Sequence, residues 1–182
     1  MAGTSRKELL TRMMDELKEN KRENLIGWHV YQPIGKDISY CFIGCYSLCL
    51  LNDNYGFWDA KEMKTTKQIN GFLANKRSDG GENLRNFDGS FIDNKLDMEL
   101  LKRFIKLNGG RRAYKKGCNT GTAWRFGDAW YNPIYLYDMA CMIYGSHKKE
   151  CYVYLLPSNS LSGAWFYNDK NEVGMVLPLH HK

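Results

Sequence analysis

A chain of 182 residues that is 43% apolar and 25% charged has the composition of a folded domain, which excludes an intrinsically disordered segment. Its 26 Lys and Arg against 20 Asp and Glu give a formal charge of +6. No stretch approaches the about 18 consecutive apolar residues of a membrane helix, and the polar start MAGTSRKELL has no apolar core of a secretory signal behind it. The expectation is therefore a single domain over residues 1–182 that is soluble and cytoplasmic, with no contact to a membrane. The six cysteines (Cys41, Cys45, Cys49, Cys118, Cys141 and Cys151) are then expected as free thiols of a reducing compartment. The 25 aromatic residues raise the weight of strands and of interfaces.

In chain order, the first element is an amphipathic helix over Arg6–Lys21. Ser5 followed by Glu8 forms a capping box, in which each residue satisfies a backbone N–H of the other at the helix start. Leu10, Met13, Met14 and Leu17 then recur at helical spacing, with Arg6, Glu8, Arg12, Asp15, Glu16 and Lys18 opposite. Residues 1–22 either pack on the core or stand off as a peripheral arm, whose apolar stripe would meet a protein partner. Leu25 to Gln32 reads as a strand ending at Pro33. Ser39 to Leu51 is ambiguous between strand and buried helix. Gly44, which would cost a helix about 1 kcal/mol, favours one strand, with NDNYG as a turn and Phe57 and Trp58 on a returning strand. Thr65 and Gln68 open a short helix carrying Ile69, Phe72 and Leu73, followed by a polar loop over 75–82. Asp88-Gly89 marks another hairpin turn.

A second helix is expected over Lys95–Leu107, with Leu96, Leu100, Leu101, Phe104 and Leu107 on its apolar face and Asp93 at its start. Asn108-Gly109-Gly110 ends it. Asn132-Pro133 opens a third helix, PIYLYDMACMIY, which is apolar nearly all round, should lie centrally and stops at Gly145. Cys151–Leu156, Ala164–Tyr167 and Val173–Leu177 read as a C-terminal three-stranded meander, the first strand being interior. The sum is an α+β fold: a mostly antiparallel sheet with three to four helices.

The charge is local. From Glu99 to Asp128 no acidic residue intervenes, while Lys102, Arg103, Lys106, Arg111, Arg112, Lys115, Lys116 and Arg125 do. Without these 8 the chain holds 18 basic and 20 acidic residues, so the net positive charge belongs to this window. Its centre, GGRRAYKKG, reads as an exposed loop or short hairpin. Arg111, Arg112, Lys115, Lys116 and Arg125 would make salt-dependent contacts to phosphates, and Tyr114 would offer a stacking surface to an unpaired base. Trp124 and Phe126, beside Arg125, belong more naturally to a core. The leading expectation is a non-enzymatic protein that binds nucleic acid, a nucleoprotein complex or an acidic protein surface through this loop. The alternative is a virion or host-takeover protein acting through its aromatic surface.

A catalytic alternative is a cysteine hydrolase of papain type, with Cys41 or Cys45 as nucleophile, His147 as base and Asp169 (or Asn168) orienting it. YCFIGCYSLCLL would then be a nucleophile helix, and the order Cys, His, Asn/Asp loosely resembles papain-type peptidases. Cys41, Cys45 and Cys49 repeat every four residues but have no second pair with which to close a zinc site. Asp88, Asp93 and Asp97 lack the neighbours of a magnesium site. No GxxxxGK[ST] or GxGxxG phosphate loop is present, so neither metal nor cofactor is expected. Finally, a hairpin followed by Lys64-Thr65-Thr66-Lys67-Gln68-Ile69-Asn70 resembles a short pattern in small uncharacterised bacteriophage-encoded proteins. That resemblance implies a phage or mobile-element accessory protein of the bacterial cytoplasm and assigns no catalytic residue.

Overall fold

The computed structural model describes residues 4–19, 27–31, 39–43, 46–53, 55, 92–115, 117–155, 163–170 and 172–179. The expected returning strand at Phe57 and Trp58, the Thr65 helix, the 75–82 loop, the Asp88-Gly89 turn and the 64–70 pattern lie outside these residues.

Helix α1 (Arg6–Glu19) starts as its capping box dictates. The Ser5 N–H donates to Glu8 Oε2 at 2.6 Å, and the Glu8 N–H donates to Ser5 Oγ at 3.2 Å. Leu9, Leu10 and Met13 are buried in the main core. Each buried leucine contributes on the order of 1.5–3 kcal/mol, so this part of α1 is packed into the domain body.

Strands β1 (Gly27–Tyr31), β2 (Ser39–Ile43) and β3 (Ser47–Leu51) form an antiparallel meander. The 39–51 run is therefore two strands and not one, with Tyr40 opposite Leu51 and Ile43 opposite Leu48. Both strands are apolar on both faces, so hydropathy alone carries no mark of the reversal between them. Strand β4 (Ile92–Asp97) then passes straight into α2 (Met98–Leu107). The helix does not start at Lys95, because Lys95 and Leu96 pair across to Tyr152 and Cys151 in the sheet. Asp97, not Asp93, caps it: one carboxylate oxygen accepts the N–H groups of Glu99 and Leu100 at 2.9 Å each. The buried face is Met98, Leu101 and Ile105, while Leu100 (53% exposed) and Leu107 (86%) face solvent.

Gly109 and Gly110, at φ +88° and +67°, take the left-handed conformation that ends α2 and starts a one-turn helix, α3 (Gly110–Tyr114). The hairpin of β5 (Trp124–Phe126) and β6 (Ala129–Tyr131) follows. Helix α4 (Pro133–Tyr144) has Pro in its first turn and Asn132 as cap, whose side chain accepts the Ile134 N–H at 3.0 Å. It is buried along almost its whole length, as its composition requires. Strands β7 (Glu150–Leu155), β8 (Ala164–Tyr167) and β9 (Val173–Val176) are the C-terminal meander. β7 is interior to the sheet, yet only Cys151, Val153 and Leu155 are buried; Tyr152 is half exposed.

The seven-stranded sheet has the order β1-β2-β3-β9-β8-β7-β4, antiparallel throughout, so the two meanders join at β3 and β9. The fold is α+β. Helix α4 lies across one face, and its seat is Gly174: a Cβ there would stand 2.3 Å from Met139 Sδ and 2.9 Å from Ile143 Cγ1. On the opposite face Cys41, Leu48, Leu50, Trp165, Val173 and Met175 form a second, smaller apolar cluster.

Two buried carboxylates fasten α1. Glu172 accepts both terminal nitrogens of Arg6 at 2.9 Å each, and Arg6 also donates to the Tyr55 hydroxyl. Burial opposes the charge of Arg6, but its bonds to Glu172 and Tyr55 outweigh this and hold its pKa above the usual value. Asp138, inside apolar α4, accepts a two-pronged pair from Arg111 (Nη1 to Oδ2 at 2.8 Å, Nη2 to Oδ1) and a longer bond from Arg12 at 3.4 Å. Asp138→Asn should leave two half-buried guanidinium groups without their counter-charge. Both keep 35% of their side-chain surface exposed, so the expected loss in urea unfolding is about 2–3 kcal/mol, below the about 3–5 kcal/mol of a fully buried pair.

Candidate nucleic-acid interface

The basic window occupies α2, α3, the 117–123 loop and the β5–β6 hairpin, and the fold divides its described cations into two kinds. Arg111 is held by Asp138, and despite burial its pKa is raised by that partner. Lys115 pairs with Glu19 at 3.3 Å, Lys102 with Glu99 at 2.8 Å, and Arg125 with Asp128 at 3.4 Å. Arg125 also donates from Nε to the Gly127 carbonyl at 2.6 Å and lies over the Trp130 ring at 5.4 Å. Arg103 and Lys106 on the outer face of α2 and Arg112 on α3 are exposed, and among the described residues they have no carboxylate partner. Lys116 lies outside the described residues.

Two expectations are corrected here. Within GGRRAYKKG, Gly110–Tyr114 are not an exposed loop or short hairpin, because the glycine pair turns the chain into α3, whose single turn aims Arg111 at α4. Tyr114 is not a stacking platform. Its ring is 7% exposed and its hydroxyl donates to the Thr122 carbonyl at 2.9 Å. Burial pushes that phenol up to about 12. Trp124 and Phe126 belong to an aromatic layer under α2, with Phe104 edge-on to Trp124 at 5.3 Å.

The residues of the hydrolase alternative fall as follows. Cys41 lies on β2, in the cluster on the sheet face away from α4, and burial pushes its thiol well above the usual range. Cys45 lies outside the described residues. His147 is exposed just beyond the end of α4, and Asp169 is exposed in the turn between β8 and β9. Asn168 is fully engaged: its Nδ2 donates to the Ile143 carbonyl at 2.9 Å and to Glu172, and its Oδ1 accepts the N–H groups of Lys170 and Glu172. Among the described residues no hydrogen bond joins Cys41, His147 and Asp169. Cys49 and Cys151 are raised to about 12 and Cys141 to about 11, in each case chiefly by burial. A nucleophilic thiol needs the reverse shift. No group of three or more His, Cys, Asp or Glu side chains among the described residues is arranged to hold a metal ion, and no helix among them is long and apolar enough to cross a membrane.

Sequence reasoning passed over two cavities. A charged cleft of about 260 Å3 between α1 and α3 is lined by Arg12, Glu16, Arg111 and Lys115 among others. Burial, and then the neighbouring Asp138, raise the Glu16 pKa. A second cavity of about 380 Å3 lies between the end of α2, α3 and the 117–122 loop. The polar run CNTGT was its trace in the sequence.

Because the folded state holds the proton on Glu16 more tightly than the unfolded chain does, its contribution is fully present below the ordinary carboxylate range of about 4.3. It is lost as pH rises through the folded-state value. Glu16→Gln should therefore raise the melting temperature at pH 7, the gain fading towards pH 4 in a series of thermal melts. Among the described cysteines, only Cys118 is not buried. Mass-mapped alkylation at neutral pH should label Cys118 first and leave Cys41, Cys49, Cys141 and Cys151 slow. Fast labelling of Cys41 would instead favour the hydrolase. Comparison of the chain with protein-family models, with curated proteins and with solved structures finds no match to any of them.

Proposed function

We propose that this protein is a non-enzymatic binding module for nucleic acid, which it meets through the outer faces of α2 and α3. The observation that carries the proposal is the exposed trio Arg103, Lys106 and Arg112, unpaired among the described residues and set in a window with no acidic residue between Glu99 and Asp128. Arg103 and Lys106 are three residues apart on one helix and so project from the same side. Lys102, Lys115 and Arg125 extend the field around them, each beside a single exposed carboxylate that screens it only weakly. Such an array neutralises phosphates and releases their counterions, which makes affinity fall steeply with salt. The biological setting we propose, an accessory protein of a phage or mobile element, rests on the resemblance carried by residues 64–70.

One observation favours a second reading. Leu100 and Leu107 are exposed one heptad apart on the same face as Arg103. An acidic protein partner with an apolar strip, in a virion or a host complex, would use that combination, and its binding would survive high salt.

The test is fluorescence anisotropy with labelled single- and double-stranded oligonucleotides at 50 and 200 mM salt. Arg103→Ala, Lys106→Ala and Arg112→Ala combined should lower affinity and reduce the slope of log K against log salt by about 2–3, close to one per lost phosphate contact. Arg111→Ala should act mainly on stability, since its guanidinium already belongs to Asp138. Unchanged affinity and slope in the triple variant would remove nucleic acid as the ligand.

A further inference from the structure

We infer that the cavity between the end of α2, α3 and the 117–122 loop is a pocket for one unstacked nucleobase, so that the protein prefers single-stranded nucleic acid. The inference rests on the proposed nucleic-acid surface and adds to it a site of its own. The cavity, about 380 Å3 and open to solvent, is lined by Asn108, Ala113, Tyr114, Gly117, Cys118, Asn119 and Thr122. That volume falls within the about 300–1,000 Å3 of small-ligand sites.

The polar lining is set by local bonds. Asn108, which ends α2, donates from Nδ2 to the Phe104 carbonyl at 2.9 Å, and this fixes its amide so that Oδ1 is left over. Asn119 accepts the Thr122 N–H on Oδ1 at 3.2 Å, which fixes its amide the other way and leaves Nδ2 over. Neither atom has another partner among the described residues. The pocket thus offers one unused acceptor and one unused donor, each on a side chain already oriented by its other end. Nucleobases carry adjacent donors and acceptors on their Watson–Crick edges, and single-stranded recognition reads those edges once the base is splayed from its stack. Ala113, the buried ring of Tyr114 and the Cys118 thiol complete the less polar wall. Ala113, in the lining, is the chain neighbour of the exposed Arg112 on α3.

The duplex keeps those edges paired and out of reach. Affinity for a single strand should therefore exceed that for a duplex of equal length, the reverse of what charge density alone predicts.

Cys118 is a built-in reporter. In the full chain, its mass-mapped alkylation rate should fall on the order of fivefold with saturating nucleoside 5′-monophosphate, by mass action on the closed site. Ribose 5-phosphate, which has the phosphate without the base, should leave the rate unchanged. Ala113→Leu narrows the cavity without touching the amide bonds and should abolish the protection, with circular dichroism confirming the fold. Asn119→Asp keeps the bonds made by Oδ1 but replaces the donor by an acceptor, and should also abolish it. Equal protection by ribose 5-phosphate, or none by any monophosphate, overturns the pocket. An oligonucleotide that binds with steep salt dependence yet leaves Cys118 as reactive as before overturns the pocket and keeps the surface. Protection by monophosphates without oligonucleotide binding keeps the pocket and overturns the surface.

Discussion

The carboxylate of Asp138 is the constraint around which the charged half of the molecule is arranged. It stands inside a helix that is otherwise apolar, and a lone ionised carboxylate there would be costly. Arg111 from α3 and Arg12 from α1 supply the counter-charge, so two separate elements are drawn onto α4 by one group. The position of α3 follows from this contact, together with the glycine pair that turns the chain towards it. The outward aim of Arg112 and the cavity walled by Ala113 and Tyr114 follow in turn. Glu172 does the same for the other end of α1 through Arg6, with Asn168 and Asn52 donating to its oxygens.

Elements whose causes are local were legible in the sequence. Ser5 and Glu8, Asn132-Pro133, and Asn108-Gly109-Gly110 each act within four residues, and each does in the structure what its chemistry implies. The α+β class and the C-terminal meander were legible for a similar reason, since short apolar runs separated by turn residues pair with their neighbours. The errors came where the cause was distant. Leu96 fits a helical stripe as well as a strand, and only the pairing with Cys151 decides between them. The hairpin inside Ser39–Leu51 was hidden because both faces of β2 and β3 are covered, which removes the alternation that would have marked two strands.

The candidate site shows the same division. The clustering of cations between Glu99 and Asp128 is plain in the sequence, but an arginine reads alike whether it meets solvent or a carboxylate. Arg111 and Tyr114 looked like binding residues, whereas one is an ion-pair partner and the other a core residue with its hydroxyl on Thr122. A signal for the first existed in the single acid of PIYLYDMACMIY, which demands a cation from elsewhere. For Arg103, Lys106 and Arg112 no distant partner intervenes: they are exposed, and among the described residues no carboxylate pairs with them.

The junction of the two meanders has a temporal consequence. Ser47 of β3 faces Val176 of β9, so the first three strands acquire their neighbour from residues more than 120 positions later. On a ribosome adding about 5–20 residues per second, the open edge of β3 waits on the order of ten seconds for β9. Its five residues are all buried in the finished sheet, so they form an apolar strand edge of the kind that recruits other chains. Completion of the fold is thus tied to the emergence of Glu172 and the strand behind it, which bring the Arg6 counter-charge and the missing sheet partner in one step. The newborn chain keeps that edge open until β9 is made.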